Sequence, residues 1–183
     1  YKLIASDISI DMLKVLKEKK ELEKLSVFSA DSKYLPFVSQ EIDAILMLYD
    51  SINYHTDIDH VGRMLSEVNR VLKSNGIFIF DTVTPYHCKT YFNDEIEEQF
   101  WEETGYRRKS WFNSKENMQY TEFDIFLSYG EFHERHKQRI FELAELEALV
   151  VRENFDVQSI FDEFTFDNAT EYSQRIHFVC RKL

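Results

Sequence analysis

Short apolar runs alternate with amphipathic stretches along the first half of the chain. Tyr1 to Ser6 is apolar and stops at Asp7, and Ser9 stands where it can cap a helix that buries Met12, Leu13 and Leu16. Lys17 to Lys24 is charged and carries that helix into a loop. Leu25 to Ser29 predicts a second strand, followed by Ala30-Asp31-Ser32, and Pro36 breaks any helix there. Ile42 to Leu48 is a near-continuous apolar run, the pattern of a central parallel strand covered on both faces. Ile58, Val61, Leu65, Val68 and Leu72 recur at three- and four-residue spacing and predict a helix. Thr56 or Asp57 would cap it, and Asn75-Gly76 would stop it. Ile77 to Phe80 then predicts a strand ending at Asp81. Strands and helices in this order predict a parallel sheet with crossover helices.

Beyond Pro85 the texture changes. Glu95 to Glu103 has the look of a short acidic helix. Arg107 to Phe112, Met118 to Leu127 and Glu131 to Phe141 predict three antiparallel strands, with alternation around Tyr120 to Phe126 giving one buried and one wet face. Trp101 and Trp111 would fill a small core there, and Arg107-Arg108-Lys109 would be a solvated strand edge. Leu143, Leu146, Leu149 and Val150 mark a helix, and Phe155 to Phe161 and Ile176 to Arg181 mark two closing strands. The expected organisation is one α/β domain over 1–85 and 141–183, with a β-rich insertion over 86–140.

Composition narrows the function classes. The chain has 183 residues and a formal net charge of −11, which opposes binding to nucleic acid or to an anionic membrane surface. Two cysteines, Cys88 and Cys180, are too few for a disulfide framework and suit inert packing. No Cys/His cluster suggests a metal, and no apolar run approaches the ~20 residues that span a bilayer. The cytoplasm is the expected location, with the chain a monomer or homodimer.

Parallel sheets bind ligands at the carboxyl ends of their strands. Asp7, Asp31 and Asp81 fall at such ends, and Asp50 lies just beyond a fourth. Aspartate after a strand also arises simply as a turn or helix cap. Taken together, carboxylates at neighbouring strand ends can accept hydrogen bonds from ribose hydroxyls and from an adenine amine.

These stretches resemble a known family. Ile4-Ala5-Ser6-Asp7-Ile8-Ser9 with Asp11-Met12-Leu13, Ala30-Asp31-Ser32 with Leu35-Pro36-Phe37, Ile42-Asp43-Ala44-Ile45, Tyr49-Asp50-Ser51-Ile52-Asn53-Tyr54 and Glu67 to Gly76 occur in the order of class I S-adenosylmethionine-dependent methyltransferases of the small-molecule type. The resemblance implies a Rossmann-like sheet, mostly parallel with an antiparallel last strand, and S-adenosylmethionine as cofactor. It implies that Asp7 binds the cofactor ribose, that Ile8 and Met12 flank the adenine, and that Asp31 faces the adenine amine beside the Ser32 backbone. Leu48 and Tyr49 match the segment under the methionine part and the transferred methyl. The family's glycine-rich loop is missing, since no glycine occurs before Gly62. In the family a strand, that loop and a helix, together about 30 residues, would precede Tyr1, so the chain is expected to be an N-terminal truncation of the complete domain.

The expected reaction is methyl transfer to a small-molecule acceptor by in-line displacement, where orientation carries much of the barrier lowering. Candidates on the acceptor side are Tyr49, Asn53, Tyr54, Trp111, Tyr120, His133, His136 and Arg139, with His133 and His136 as possible bases. A nicotinamide-dependent oxidoreductase is an alternative, because an acidic residue after the second strand binds ribose there too. A non-catalytic binding or assembly module of the same fold is another.

Overall fold

The computed structural model describes residues 2–19, 22 and 24–183; the readings of Tyr1, Lys20, Glu21 and Glu23 lie outside them. Strand β1 (Ile4–Asp7) leads into helix α1 (Ile10–Glu18), which Ser9 caps by accepting from the Met12 amide at 3.3 Å. Strand β2 (Ser26–Ser29) pairs with β1 in parallel, Asp7 opposite Ser29. A four-stranded sheet follows, in the order β3-β4-β10-β9. Strand β3 (Ile42–Met47) runs parallel to β4 (Leu72–Val83), while β10 (Arg175–Lys182) is antiparallel to both β4 and β9 (Phe155–Asp162).

The core lies on this sheet. Helix α2 (Ile58–Val71) buries Val61, Met64, Leu65 and Val68, and α4 (Leu143–Arg152) buries Leu146, Leu149 and Val150. They meet Phe78, Phe80, Phe155 and Phe178, whose rings fill the space between strands and helices. Phe80 and Phe178 stack with centroids 4.6 Å apart, an offset arrangement that adds to the burial of their area.

Three sequence expectations give way here. Helix α2 ends at Val71, before Asn75-Gly76. The chain runs straight into β4, and the buried Lys182 ammonium donates to the Asn69 and Leu72 carbonyls at 2.6 and 2.8 Å, satisfying carbonyls that the helix leaves open. Among the described residues β3 is bonded on one edge only, and Ala44 and Leu46 are exposed, so the apolar run is not covered on both faces. Residues Glu95–Trp101 form strand β5, not a helix.

Strand β5 opens an antiparallel sheet with β6 (Thr104–Asn113), β7 (Met118–Leu127) and β8 (Gly130–Arg139), in chain order. Its acidic residues are matched across the strand pair: Arg108 meets Glu97 at 2.6 Å and Arg107 meets Glu98 at 2.6 Å. β6 is therefore an interior strand, and Arg107-Arg108-Lys109 is not a sheet edge. Trp101 is exposed, and Trp111 stacks on Tyr120 instead of filling a core. Helix α3 (Pro85–Tyr91), capped by Thr84, carries the chain from β4 to this sheet. Val83, Cys88 and Ile140 form a second small core at the junction, with Phe92 and Phe112 packed on it.

Candidate functional site

The carboxyl ends of β1 and β2 bring two predicted residues to one side of the molecule. Asp7 closes β1, and its carbonyl accepts from the Ala30 amide at 3.2 Å, one residue before Asp31. The Asp7 carboxylate is exposed and accepts from the Ser9 amide at 2.8 Å. Asp31 folds its carboxylate over its own turn, taking the Lys33 amide at 3.0 Å and the Lys33 ammonium at 3.3 Å. Burial disfavours its charge, but these Lys33 contacts outweigh that and hold its pKa below the ordinary carboxylate value. Beside these carboxylates Ile8 is 70% exposed, and Met12, expected among the buried positions of α1, is 60% exposed, since α1 packs on the strands through Leu13. Large apolar side chains left in water next to hydrogen-bond acceptors fit a ligand with a flat apolar ring and donor groups, such as adenosine.

Ser32 does something the sequence does not announce. Its hydroxyl lies 2.9 Å from His55 Nε2, which ties the loop after β2 to the 3-10 turn Ser51–Tyr54. Burial first, and then nearby Lys33, push the His55 pKa down, so this imidazole is neutral at pH 7. The same loop is anchored to α2: the Leu35 amide donates to Glu67 at 2.8 Å, and Arg70 donates to the Phe37 carbonyl at 2.8 Å.

Leu48 and Tyr49 sit at the end of β3, in the other sheet, and no strand pairing joins β1 to β3 among the described residues. Tyr49 and Asp50 both take left-handed backbone angles, φ 56° and 49°. Two consecutive side-chain-bearing residues there hold strain that the surroundings must fix. They are fixed on the Asp50 side. Its amide donates to Asp81 at 3.1 Å, and its carboxylate accepts from Gln138 and, at 2.8 Å, from Arg175. Arg175 also pairs with Asp81, which is buried in β4. Burial works against the Arg175 charge, but the two carboxylates outweigh it and raise its pKa.

This network forms the floor of a cavity of about 330 Å³ between the ends of the core strands and the inner face of the β5–β8 sheet. Asp50, Tyr54 and Arg175 line it from the core side, and Gln119, His136 and Gln138 from the sheet. Of the acceptor-side candidates, Tyr54 and His136 meet in its wall. Asn53 is fully buried and spends its amide on the Arg139 carbonyl at 2.7 Å and the Thr82 hydroxyl at 2.9 Å. His133 faces solvent and pairs with Asp124 at 2.9 Å, and Tyr49 is 80% exposed. Trp111 and Tyr120 stack on each other, with Lys109 and Arg135 over the Trp111 ring. The Arg139 guanidinium packs over Phe141 and pairs with Glu145. The sequence reading missed Arg175, Gln138 and Gln119, whose types carry no motif and which come close only through the fold. Cys88 and Cys180 are buried, and burial pushes both thiols up to about 12. Among the described residues no group of three His, Cys, Asp or Glu side chains is placed to hold a metal. No helix among them is long and apolar enough to cross a membrane.

A parallel strand pair with crossover helices, closed by antiparallel strands and carrying a β-sheet insertion, is the fold of class I S-adenosylmethionine-dependent methyltransferases. Residues 1–80 match the family described as a methyltransferase domain. The chain is 25% identical over 187 residues to the Bacillus subtilis protein named "Putative methyltransferase YqeM", covering 100% of this chain and 76% of that protein. The crystal structure of an S-adenosylmethionine-dependent methyltransferase from Clostridium acetobutylicum superposes with a TM-score of 0.87 at 21% identity, over 100% of this chain and 75% of the other. CalS10 of Micromonospora echinaspora, an amino pentose methyltransferase solved with S-adenosylmethionine bound, gives 0.71 at 12% identity over 98% and 73%. The resemblance read from the sequence is borne out, and S-adenosylmethionine is the cofactor that this family match and fold point to.

Proposed function

We propose that the protein transfers a methyl group from S-adenosylmethionine to a small molecule held between its core sheet and its β-rich insertion. Asp7 accepts from the ribose hydroxyls, Ile8 and Met12 flank the adenine, and Asp31 with the Ser32 backbone meets its amine. Asp31 can do so because Lys33 occupies only part of the carboxylate's accepting capacity. Leu48 and Tyr49 border the methionine part. The bound cofactor supplies an electrophilic methyl on a sulfonium; the protein's task is to orient the acceptor in line with it and to exclude water.

The observation that carries this reading is the cavity of about 330 Å³ walled by Asp50, Tyr54 and Arg175 on one side and by Gln119, His136 and Gln138 on the other. That volume falls in the range of small-molecule sites. Residues 86–140 act as the acceptor wall, and residues 1–85 and 141–183 as the cofactor domain. The buried free thiols Cys88 and Cys180 suit a reducing compartment, in keeping with the cytoplasm.

The full-length gene product is incubated with methyl-labelled S-adenosylmethionine and a cell extract separated into small-molecule and macromolecular fractions. Label entering the small-molecule fraction supports the reading. Label confined to the macromolecular fraction, or binding of NAD in place of S-adenosylhomocysteine, overturns it.

A further inference from the structure

His136 is held by three neighbours. Its Nδ1 lies 3.0 Å from the Tyr54 hydroxyl, and its Nε2 lies 3.4 Å from a Glu134 carboxylate oxygen. The Phe123 ring stands at 82° to the imidazole with centroids 5.5 Å apart, which fixes the ring's plane. Tyr54 and His136 both line the cavity, whereas Glu134 stands behind them. A carboxylate, an imidazole and a hydroxyl in succession, with the tyrosine on a cavity wall, can move a proton away from a reacting group. His133 offers no such chain, because its partner Asp124 lies outside the cavity.

We propose that Tyr54, His136 and Glu134 form a proton relay that takes the proton from a hydroxyl or ammonium acceptor as it is methylated. This rests on the methyl-transfer reading above. The acceptor's proton passes to Tyr54 Oη while the Tyr54 proton passes to His136 Nδ1, and Glu134 faces the imidazolium so formed. A hydroxyl loses its proton as its lone pair bonds the methyl carbon; an ammonium loses it first, freeing the lone pair. In both cases the carbon–sulfur electron pair stays on sulfur. Tyr54 and His136 are catalytic residues, and Glu134 is a positioning residue. Tyr54 remains a phenol through the pH range of interest, because burial first, and then Asp50 and Glu134, raise its pKa.

Gln119 is 2% exposed and lines the same wall. Its amide nitrogen donates to the Thr121 hydroxyl at 2.6 Å and to the Tyr120 carbonyl at 3.1 Å. The charged and titratable groups around His136 are Glu134 on β8, Asp50 and Tyr54 from the core, Arg108 on β6, His87 on α3 and Arg175 on β10. Arg108 pairs with Glu97, and Arg175 is shared by Asp50 and Asp81, whereas Glu134 is the carboxylate in contact with the His136 ring.

Nitrogen NMR of the His136 ring in the full-length gene product, with no ligand added, gives a readout independent of activity. The relay predicts the proton on Nε2 in the neutral ring. Glu134→Gln and Tyr54→Phe should each move the His136 ring-nitrogen resonances. A proton on Nδ1, or ring-nitrogen resonances identical in wild type and both variants, overturns the relay. In methyl transfer to the labelled product, Tyr54→Phe and His136→Gln should each lower kcat about 100-fold and abolish the acid limb of the pH profile. S-adenosylhomocysteine affinity should stay unchanged, and Glu134→Gln should move the acid limb without removing it. An acid limb unaltered by His136→Gln overturns the relay. Absence of S-adenosylhomocysteine binding by wild type overturns the methyl-transfer reading and this role with it, whatever the NMR shows.

Discussion

Arg175, near the end of the chain, donates to the Asp50 carboxylate at 2.8 Å across 125 positions of sequence. The same guanidinium holds Asp81, buried in β4, so one cation keeps two acidic groups of the cavity floor paired. Arg175→Gln would leave a carboxylate in the interior without its counterion. The unfolding free energy should fall by about 2–4 kcal/mol, toward the lower end of what breaking a buried pair costs because the guanidinium is partly exposed. Urea denaturation measures it, and a midpoint equal to wild type would mean that the pairing carries no stability.

Phe80 and Phe178 face each other from neighbouring strands with their planes 7° apart, and both are fully buried. Phe178→Ala removes the stack and opens a cavity under α2 and α4. A loss of about 3–5 kcal/mol is expected, with an unchanged dependence on denaturant concentration. A smaller loss would mean that the core collapses into the space.

The two depressed histidines make stability fall in acid. Burial lowers the pKa of His55, with Lys33 adding to it; burial also lowers that of His87, with Arg175 adding to it while its Gln174 hydrogen bond opposes. Their unfolded values lie at the ordinary 6.5, so below it the unfolded chain binds more protons than the folded one. Stability therefore rises with pH toward 6.5 and is lost as pH falls below it, toward the depressed folded values. Replacing both with Gln should flatten the melting temperature between pH 6.5 and 4.5, the ordinary value of Glu67. Below that the salt-bridged Glu67 and Asp31, whose pKa values are lowered, add the same trend in wild type and variant alike. An equally steep slope in the double variant between those limits contradicts the assignment.

Gly105 lies where β6 leaves its hairpin with β5, and a Cβ there would come within 2.6 Å of the Gln99 carbonyl oxygen and against the Phe100 ring. Gly105→Ala should shift the backbone of that hairpin and destabilise the protein by about 1–3 kcal/mol. Thermal melting checks the size, and backbone NMR shifts confined to β5 and β6 would confirm the site of the strain.

The parts of the fold visible in the sequence are those fixed by local periodicity and caps. The spacing from Ile58 to Val68 and the Asp57 cap gave α2 its start, Ser9 gave α1 its cap, and the apolar runs of β4, β9 and β10 were plain. The run Glu-Ile-Glu-Glu-Gln-Phe-Trp favours helix by composition, but cross-strand pairing of Glu97 and Glu98 with Arg108 and Arg107 turns it into β5, and no local window contains those partners. Asp7 ends β1 as the sequence predicts and Asp31 lies in the turn just after β2, but Asp81 lies inside β4, which runs on to Val83 because β10 pairs with it beyond that point. The Tyr54–His136 contact spans 82 positions, and the role of Arg175 depends on which strands become neighbours, so neither is written in any short stretch of sequence.

The central claim is that Asp7, at the tip of β1, holds the adenosine of the cofactor. Calorimetric titration of the full-length gene product with S-adenosylhomocysteine tests it most directly. Wild type should bind, and Asp7→Ala should weaken binding about 10- to 100-fold, the worth of hydrogen bonds to a charged group. No binding by wild type, or equal affinity in the variant, would contradict the account.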